Sequence, residues 1–110
     1  MQISYLEAVI QAQIEEMERD ERVILMGEDI AVYGGGRIVD RFDPSRVLST
    51  PISEGSFAGV GIGAAIGGLR PIVDLGIASF MYLPSDQIIN QASKLRYMTG
   101  GQIRVPVVFR

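Results

Sequence analysis

The sequence predicts an α/β fold in which a parallel sheet carries helices on both faces. Short apolar runs of strand length recur between segments of helical length, so helices and strands alternate along the 110 residues. The composition is 47% hydrophobic and 21% charged, which is sufficient for one compact domain with its own core.

The first predicted elements are an amphipathic helix and a buried strand. Ser4 and Glu7 have the spacing of a capping box, and they precede a helix predicted over residues 5–19. An apolar run then predicts a strand at 23–26 that is covered on both faces. The apolar face of the predicted helix consists of Leu6, Ile10, Ile14 and Met17.

The remaining elements follow from apolar runs and from turn signals between them. A glycine triplet and an Asp-Pro-Ser turn predict a mobile connection over residues 30–45. The last strand ends directly before the final residue, which is uncommon for a complete α/β domain, so we expect the front part of something longer. Three further strands are predicted at 46–49, 71–75 and 105–109, and two further helices at 55–69 and 81–97.

Composition excludes several classes of function. A net charge of −3 offers no basic field for a nucleic acid. The absence of cysteine and histidine excludes disulfides, a histidine-dependent triad and a zinc site built from those residues. The longest apolar stretch, 57–69, is shorter than the roughly 20 residues of a membrane helix. The N-terminus does not resemble a secretory signal, and we expect an intracellular location with no membrane partner.

A glycine-rich segment admits two interpretations. The sequence Gly-Val-Gly-Ile-Gly-Ala at 59–64 fits a loose dinucleotide fingerprint, but no strand runs directly into its first glycine, which argues against that motif. Gly59, Gly63 and Gly67 instead form a stripe along one face of the predicted helix. The stripe predicts close contact with another helix, either in this chain or in a partner.

Acidic side chains occur at predicted strand ends and helix starts, where open α/β sheets place their ligands. Glu28, Asp29, Glu54 and Asp86 occupy such positions, although each could also cap a helix or face water. Glu54 precedes a wholly apolar helix, so we expect burial to raise its pKa toward the range useful for proton transfer. Phe80 follows a predicted strand, where its ring could stack on a flat ligand or pack in the core.

Five motifs run in the same order as in a known family. They are Gly-Glu-Asp at 27–29, Thr-Pro-Ile-Ser-Glu at 50–54, the glycine segment at 59–64, Asp-Gln-Ile-Ile-Asn at 86–90, and Leu-Arg-Tyr-Met-Thr-Gly-Gly-Gln at 95–102. The set resembles the beta subunit of the thiamine-diphosphate-dependent decarboxylase of 2-oxo acid dehydrogenase complexes. The resemblance implies a transketolase-like pyrimidine-binding domain, of which residues 1–110 form a truncated part.

The resemblance also implies roles for individual residues. Glu54 matches the glutamate that hydrogen-bonds N1′ of the cofactor's aminopyrimidine and so promotes loss of the thiazolium C2 proton. Phe80 matches an aromatic ring that packs on the aminopyrimidine, and Ile52 matches a neighbouring apolar contact. Glu28 and Asp86 match acids that line a solvated tunnel between two active sites in some relatives.

Further implications concern ions and partners. Val107 matches a position whose carbonyl helps to hold a potassium ion in some relatives. The chain has no Gly-Asp-Gly motif followed by asparagine, so Mg²⁺ and the diphosphate are expected on a partner alpha subunit. The implied assembly is a heterotetramer with a second beta subunit, in which the stripe makes the intersubunit helix contact. The resemblance implies that a lipoyl acyltransferase core binds a C-terminal part beyond this sequence. It also implies a location in the cytoplasm of a bacterium or in the mitochondrial matrix.

Two departures from the family leave an alternative open. The segment 34–46 is shorter than the family's usual connection and lacks the threonine found there. The family's active-site histidine comes after residue 110. As part of a beta subunit, the chain is expected to be inactive alone. The alternative is a naturally truncated, non-catalytic module that binds an alpha subunit or itself. Other enzymes of the thiamine superfamily fit less well, since they carry histidines near the catalytic glutamate.

Overall fold

Four parallel strands form one sheet in the computed structural model, which describes residues 2–110. The strand order is β2-β1-β3-β4, so β1 and β3 are central. The strands are β1 (Val23–Gly27), β2 (Val47–Ser49), β3 (Arg70–Asp74) and β4 (Val108–Phe109). The α-helices are α1 (Tyr5–Arg19), α2 (Gly36–Val39), α3 (Glu54–Ile66) and α4 (Leu95–Met98).

The two central strands divide the core between the two faces of the sheet. Leu25 of β1 lies beside Ile72 of β3, and both belong to a cluster with the buried side chains of α1. The next pair, Met26 and Val73, belongs to a second cluster that includes Phe57 of α3. Because successive side chains of a strand point to opposite faces, α1 and α3 cover opposite faces, as predicted.

The start of α1 confirms the predicted capping box in part. The Ser4 hydroxyl accepts a hydrogen bond from the backbone N–H of Glu7 at 3.1 Å, which satisfies one free donor of the first turn. Ile10, Ile14 and Met17 are buried as predicted. Leu6, which the periodicity placed on the same face, is half exposed, and its methyl groups lie near Gly34 and not in the core cluster.

The segment predicted as a mobile connection is largely helical. A π-helical segment, Ala31–Gly35, leads into α2, and Gly34 supplies a left-handed backbone with φ 92° at the kink inside that segment. Ile30 and Ile38 are buried in the cluster beneath α1. The prediction was wrong because two isolated apolar residues make no periodic signal, although both fill the core.

The long helix predicted at 81–97 is broken into three pieces. They are a 3₁₀ helix at Ala78–Tyr82, a π-helical segment at Asp86–Ala92, and α4. The hydroxyl of Ser85 donates to the carbonyl oxygen of Tyr82 at 2.6 Å, and such side-chain bonds compete with the regular helical pattern. Near the last strand, Pro106 has no N–H to donate, and β4 is confined to two residues.

Arg46, predicted as the first residue of a strand, instead binds the far end of α1. Its guanidinium donates to the carbonyl oxygens of Met17, Asp20 and Val23 at 2.7, 3.1 and 2.8 Å. It also lies over the ring of Phe42, 5.3 Å from the ring centre. Arg46 therefore joins α1, β1 and the start of β2.

Candidate functional site

All four strands are parallel and end at the same edge of the sheet, where a polar residue follows each of the adjacent strands β1 and β2. Glu28 follows β1 directly, and Thr50 follows β2. The backbone N–H of Thr50 donates to the carbonyl oxygen of Gly27 at 2.9 Å, which keeps these two strand ends together. A short turn then leads from Thr50 to Glu54, the first residue of α3. We call Glu28, Thr50 and Glu54 the carboxyl-edge cluster.

Glu28 is the buried acid of the cluster. Only 4% of its surface is exposed, and its Oε2 atom has no hydrogen-bond partner among the described residues. Burial raises the pKa of this carboxyl above its ordinary value of 4.5, and the charge of Glu54 and a hydrogen bond shared with it raise the pKa further. Glu28 is therefore the group that favours the protonated form.

Glu54 lies beside Glu28 in a different environment. It is half-buried in the first turn of α3. The turn before it is closed by Ser53, whose hydroxyl donates to the carbonyl oxygen of Pro51 at 3.0 Å. Glu54 is thus partly buried, as predicted, and Glu28 beside it is buried more deeply.

The backbone after Glu28 is held in an uncommon conformation. Asp29 has φ 47°, in the left-handed region that non-glycine residues seldom adopt. Its carbonyl oxygen accepts hydrogen bonds from the N–H groups of Val32 at 2.9 Å and Tyr33 at 3.2 Å. The sharp turn that results comes directly after Glu28 and starts the π-helical segment.

The two apolar residues expected at a cofactor lie differently. Phe80, in the 3₁₀ helix after β3, is partly buried and packs against the cluster of Met26, Phe57, Val73 and Leu75. Ile52, in the turn before α3, is 75% exposed. Phe80 is therefore held by core packing, while Ile52 projects from the chain, and their contact with a cofactor stays a prediction.

Asp86 is not brought into the carboxyl-edge cluster. It is exposed at the start of the second π-helical segment and accepts a hydrogen bond from Asn90 Nδ2 at 2.9 Å. The acids that act on the pKa of Glu28 are Glu54 and Asp29. A relay that joins Glu28 to Asp86 therefore stays a prediction.

The glycines of α3 make a different contact from the one predicted. A methyl group added at Gly61 would lie 2.5 Å from Val73 Cγ2, so Gly61 is where the helix approaches the sheet. Gly59 faces the side chain of Gln87, whose Oε1 atom would lie 3.4 Å from a methyl group added at Gly59. Among the described residues, a methyl group added at Gly63 would have no atom beyond its own helix within 4 Å, and one added at Gly67 would meet only carbonyl oxygens of that helix. The helix contact expected of the full stripe is thus not made among residues 2–110.

Metal ligands are sparse in the part of the chain that the structure describes. Residues 2–110 contain no group of three or more acidic side chains that could hold a metal ion. Val107 is partly buried against the second cluster, and its N–H donates to the carbonyl oxygen of Val105 at 2.9 Å. Potassium binding at Val107 stays a prediction.

The opposite edge of the sheet carries a charged cavity of about 620 Å³. Several of its charges are already paired, since Arg22 and Arg70 both contact Asp20, at 2.8 and 3.3 Å. No helix among residues 2–110 has the length and apolar character that crossing a membrane requires. The carboxyl-edge cluster, with its unpartnered buried oxygens, is the better candidate for a functional site.

Sequence reasoning singled out Glu28 and Glu54 but missed Thr50 as a site residue. The Thr50 Oγ1 atom is shielded from solvent and has no hydrogen-bond partner among the described residues. A signal was present, because Thr50 directly follows a predicted strand in the same turn as Glu54. Its hydroxyl suggested no chemistry of its own without the neighbouring acid.

Known proteins match the chain over its whole length. Residues 1–110 match the family described as the transketolase pyrimidine-binding domain. The chain is 47% identical to the pyruvate dehydrogenase E1 component subunit beta of Rickettsia bellii, and the match covers 100% of the chain and 35% of that protein. The mitochondrial pyruvate dehydrogenase E1 component subunit beta of Homo sapiens is 44% identical, and that match covers 100% of the chain and 32% of the human protein.

A plant relative shows the same pattern. The beta-1 subunit of Oryza sativa subsp. japonica is 47% identical over 94% of the chain and 29% of its own length. The chain thus spans about a third of the relatives that it matches. The chain belongs to the family of transketolase pyrimidine-binding domains, and within that family it is similar to pyruvate dehydrogenase E1 beta subunits.

Proposed function

We propose that the chain is part of the beta subunit of a thiamine-diphosphate-dependent 2-oxo acid dehydrogenase, in which Glu54 binds the aminopyrimidine of the cofactor. The observation that carries this proposal is the Glu28–Glu54 pair at the carboxyl edge of the sheet. Parallel α/β sheets bind their ligands at this edge. The similarity to pyruvate dehydrogenase E1 beta subunits makes pyruvate the first substrate to test.

The residues present fit an aminopyrimidine. Such a ring is flat and carries a basic nitrogen, so it requires an acidic partner and an apolar surface. Glu54 offers a half-buried carboxyl group, and the buried Oε2 of Glu28 lies behind it without a partner. Phe80 supplies an aromatic ring at the end of β3, and the exposed Ile52 supplies apolar surface.

The acid pair can hold and move one proton. The raised pKa keeps the proton on Glu28 at pH values where an ordinary glutamate has lost it, and the protonated group can donate to Glu54. Glu54 can then share a proton with the ring nitrogen while Glu28 limits its charge. When bound, thiamine diphosphate supplies the group that attacks and decarboxylates a 2-oxo acid. In this proposal Glu28 and Asp86 belong to the proton relay.

The site needs a partner to be complete. Residues 2–110 contain no cluster of acidic side chains that could bind Mg²⁺. The resemblance assigns that ion and the diphosphate to an alpha subunit, which the proposal adopts. The open face of α3 at Gly63, together with Gly59 and Gly67, would contact another subunit, including a second beta subunit. The proposal also includes a potassium ion at the Val107 carbonyl and transfer of the acyl group to a lipoyl acyltransferase. It places the enzyme in the bacterial cytoplasm or in the mitochondrial matrix.

The test replaces Glu54 by glutamine in the complex assembled with an alpha subunit. We expect turnover of pyruvate to fall by about 10²–10⁴-fold, the usual contribution of a general acid–base, with a modest loss of cofactor affinity. Glu21→Gln is the control, because Glu21 is an exposed acid at the opposite edge of the sheet. Near-native turnover of Glu54→Gln would remove Glu54 from this role.

A binding measurement separates the enzyme subunit from a non-catalytic interaction module. Thiamine diphosphate with Mg²⁺ should raise the melting temperature of the assembled complex, since a ligand that binds only the folded state stabilises it. An unchanged melting temperature would favour the module instead. The exposed apolar side chains of α3, Val60 and Ile66, are the surface on which such a module would bind its partner.

A further inference from the structure

The carboxyl-edge cluster contains two buried polar atoms without partners. Among the described residues, neither Glu28 Oε2 nor Thr50 Oγ1 has a hydrogen bond, and both atoms are shielded from solvent. Buried polar atoms in native proteins are nearly always hydrogen-bonded, either to protein or to an ordered water. Two such atoms at the ends of adjacent strands call for a common explanation.

Strand register places the two side chains on the same face of the sheet. Gly27 of β1 lies beside Ser49 of β2 in a parallel pair, so the next residues, Glu28 and Thr50, are also neighbours. The backbone hydrogen bond from Thr50 to Gly27 continues this pairing beyond the last strand residue. Since Met26 faces the α3 cluster, the alternation of side chains directs Glu28, and with it Thr50, to the α3 face.

We propose that Thr50 is a positioning residue whose hydroxyl, together with Glu28 Oε2, holds one buried water molecule between the ends of β1 and β2. The site is polar on two sides, as a buried water requires, and a threonine hydroxyl can both donate to the water and accept from it. The catalytic consequence rests on the proposed function, whereas the water site does not.

The water would fix the orientation of the Glu28 carboxyl group. Its hydrogen bond to Oε2 leaves the other carboxyl oxygen to carry the proton and donate it toward Glu54. Without the water, the Glu28 side chain loses a contact that restrains its rotation, and the geometry of the acid pair becomes less defined. Thr50 thus acts on Glu54 through Glu28 and touches neither cofactor nor substrate.

The direct test is a crystal structure of the assembled complex at a resolution that shows water. The proposal expects one water within hydrogen-bond distance of both Thr50 Oγ1 and Glu28 Oε2. Thr50→Ser should keep this water, because serine retains the hydroxyl, and Thr50→Val should lose it. A wild-type structure in which no water bridges the two atoms would overturn the proposal.

Stability of the cofactor-free complex provides a second test with a predicted sign. If Thr50 holds a water, Thr50→Val leaves Glu28 Oε2 unsatisfied, and the melting temperature should fall while Thr50→Ser stays near wild type. If the hydroxyl is instead unpartnered, valine removes a buried polar atom at almost constant volume, and the melting temperature should stay constant or rise. The second outcome would contradict the proposal.

Kinetics then separates positioning from a general structural role. Thr50→Val should lower kcat about tenfold with little change in KM, an effect at the level of 1.4 kcal/mol, and Thr50→Ser should restore it. Thr99→Val is the control, because the Thr99 hydroxyl donates to the carbonyl oxygen of Leu95 at 2.8 Å and accepts from the N–H of Ile103 at 3.2 Å, and neither partner belongs to the carboxyl-edge cluster. If Thr50→Val keeps its kcat while Glu54→Gln is inactive, only the positioning role of Thr50 is overturned. If Glu54→Gln is active, the proposed function itself is overturned.

Discussion

Alanine at Gly61 should destabilise the fold, whereas alanine at Gly63 should stabilise it. Both glycines lie in the interior of α3, where alanine is favoured over glycine by about 1 kcal/mol. At Gly63, no atom of residues 2–110 outside the helix lies within 4 Å of the added methyl group. At Gly61, the methyl group would lie 2.5 Å from Val73 Cγ2 and 3.5 Å from Met26 Sδ.

The cost at Gly61 follows from these distances. Two carbon atoms in contact are normally about 3.5–4.0 Å apart, so α3 and β3 would have to separate by about 1 Å or more. Val73 cannot rotate away easily, because it is fully buried and β-branched. Overpacking of this kind costs about 1–3 kcal/mol. The helix-propensity gain is common to both variants and cancels, so the two should differ in stability by about that amount.

Urea denaturation followed by circular dichroism measures this difference. The midpoint should rise for Gly63→Ala relative to Gly61→Ala, with the slope of the transition the same for both variants. Equal stabilisation of the two variants would refute the close approach of α3 to β3 at Gly61. It would also place the packed face of the helix elsewhere.

Three further outcomes follow from the structure. Because the pKa of Glu28 is raised, the folded state binds the Glu28 proton more tightly than the unfolded chain does. The free energy of unfolding should therefore fall as pH rises from 4.5 toward the raised pKa. Thermal melts at several pH values should show this decrease in the wild type and not in Glu28→Gln. Arg46→Met should lower the free energy of unfolding, measured by urea denaturation, by about 2–3 kcal/mol, because carbonyl oxygens at the end of α1 lose a charged donor. Arg37→Met is the control at an exposed ion pair and should change the free energy of unfolding by less than about 0.5 kcal/mol. Gly63→Leu should block assembly with a partner subunit, and an unchanged oligomer by light scattering would contradict the role of the stripe.

Elements with strong local signals were predictable from the sequence. The capping box and the apolar periodicity located α1 correctly, and continuous apolar runs located β1 and β3. Residues 30–45 were not predictable in this way, because their helical turns are stabilised by two separated isoleucines that reach a distant core. The broken helix at 81–97 depends on serine hydroxyls that bond to the backbone, and its apolar pattern alone does not reveal them.

The site was predictable in its members but not in their arrangement. Placing acids at strand ends identified both Glu28 and Glu54, because that rule depends only on element order. Which of the two is buried depends on how the turn after β2 folds across the end of β1, and no local pattern contains that information. For the same reason, the stripe of glycines did not reveal Gly61, whose contact is with the sheet and not with another helix.

The strand order gives the two acids unequal mechanical support. Glu28 follows β1, which is hydrogen-bonded on both sides, whereas Glu54 follows β2, a three-residue strand at the edge of the sheet. Edge strands open locally at a lower free-energy cost than central ones. The pair can therefore separate when β2 frays, while the centre of the sheet remains intact. Any partner that covers β2 would then also set how long the two carboxyl groups stay together.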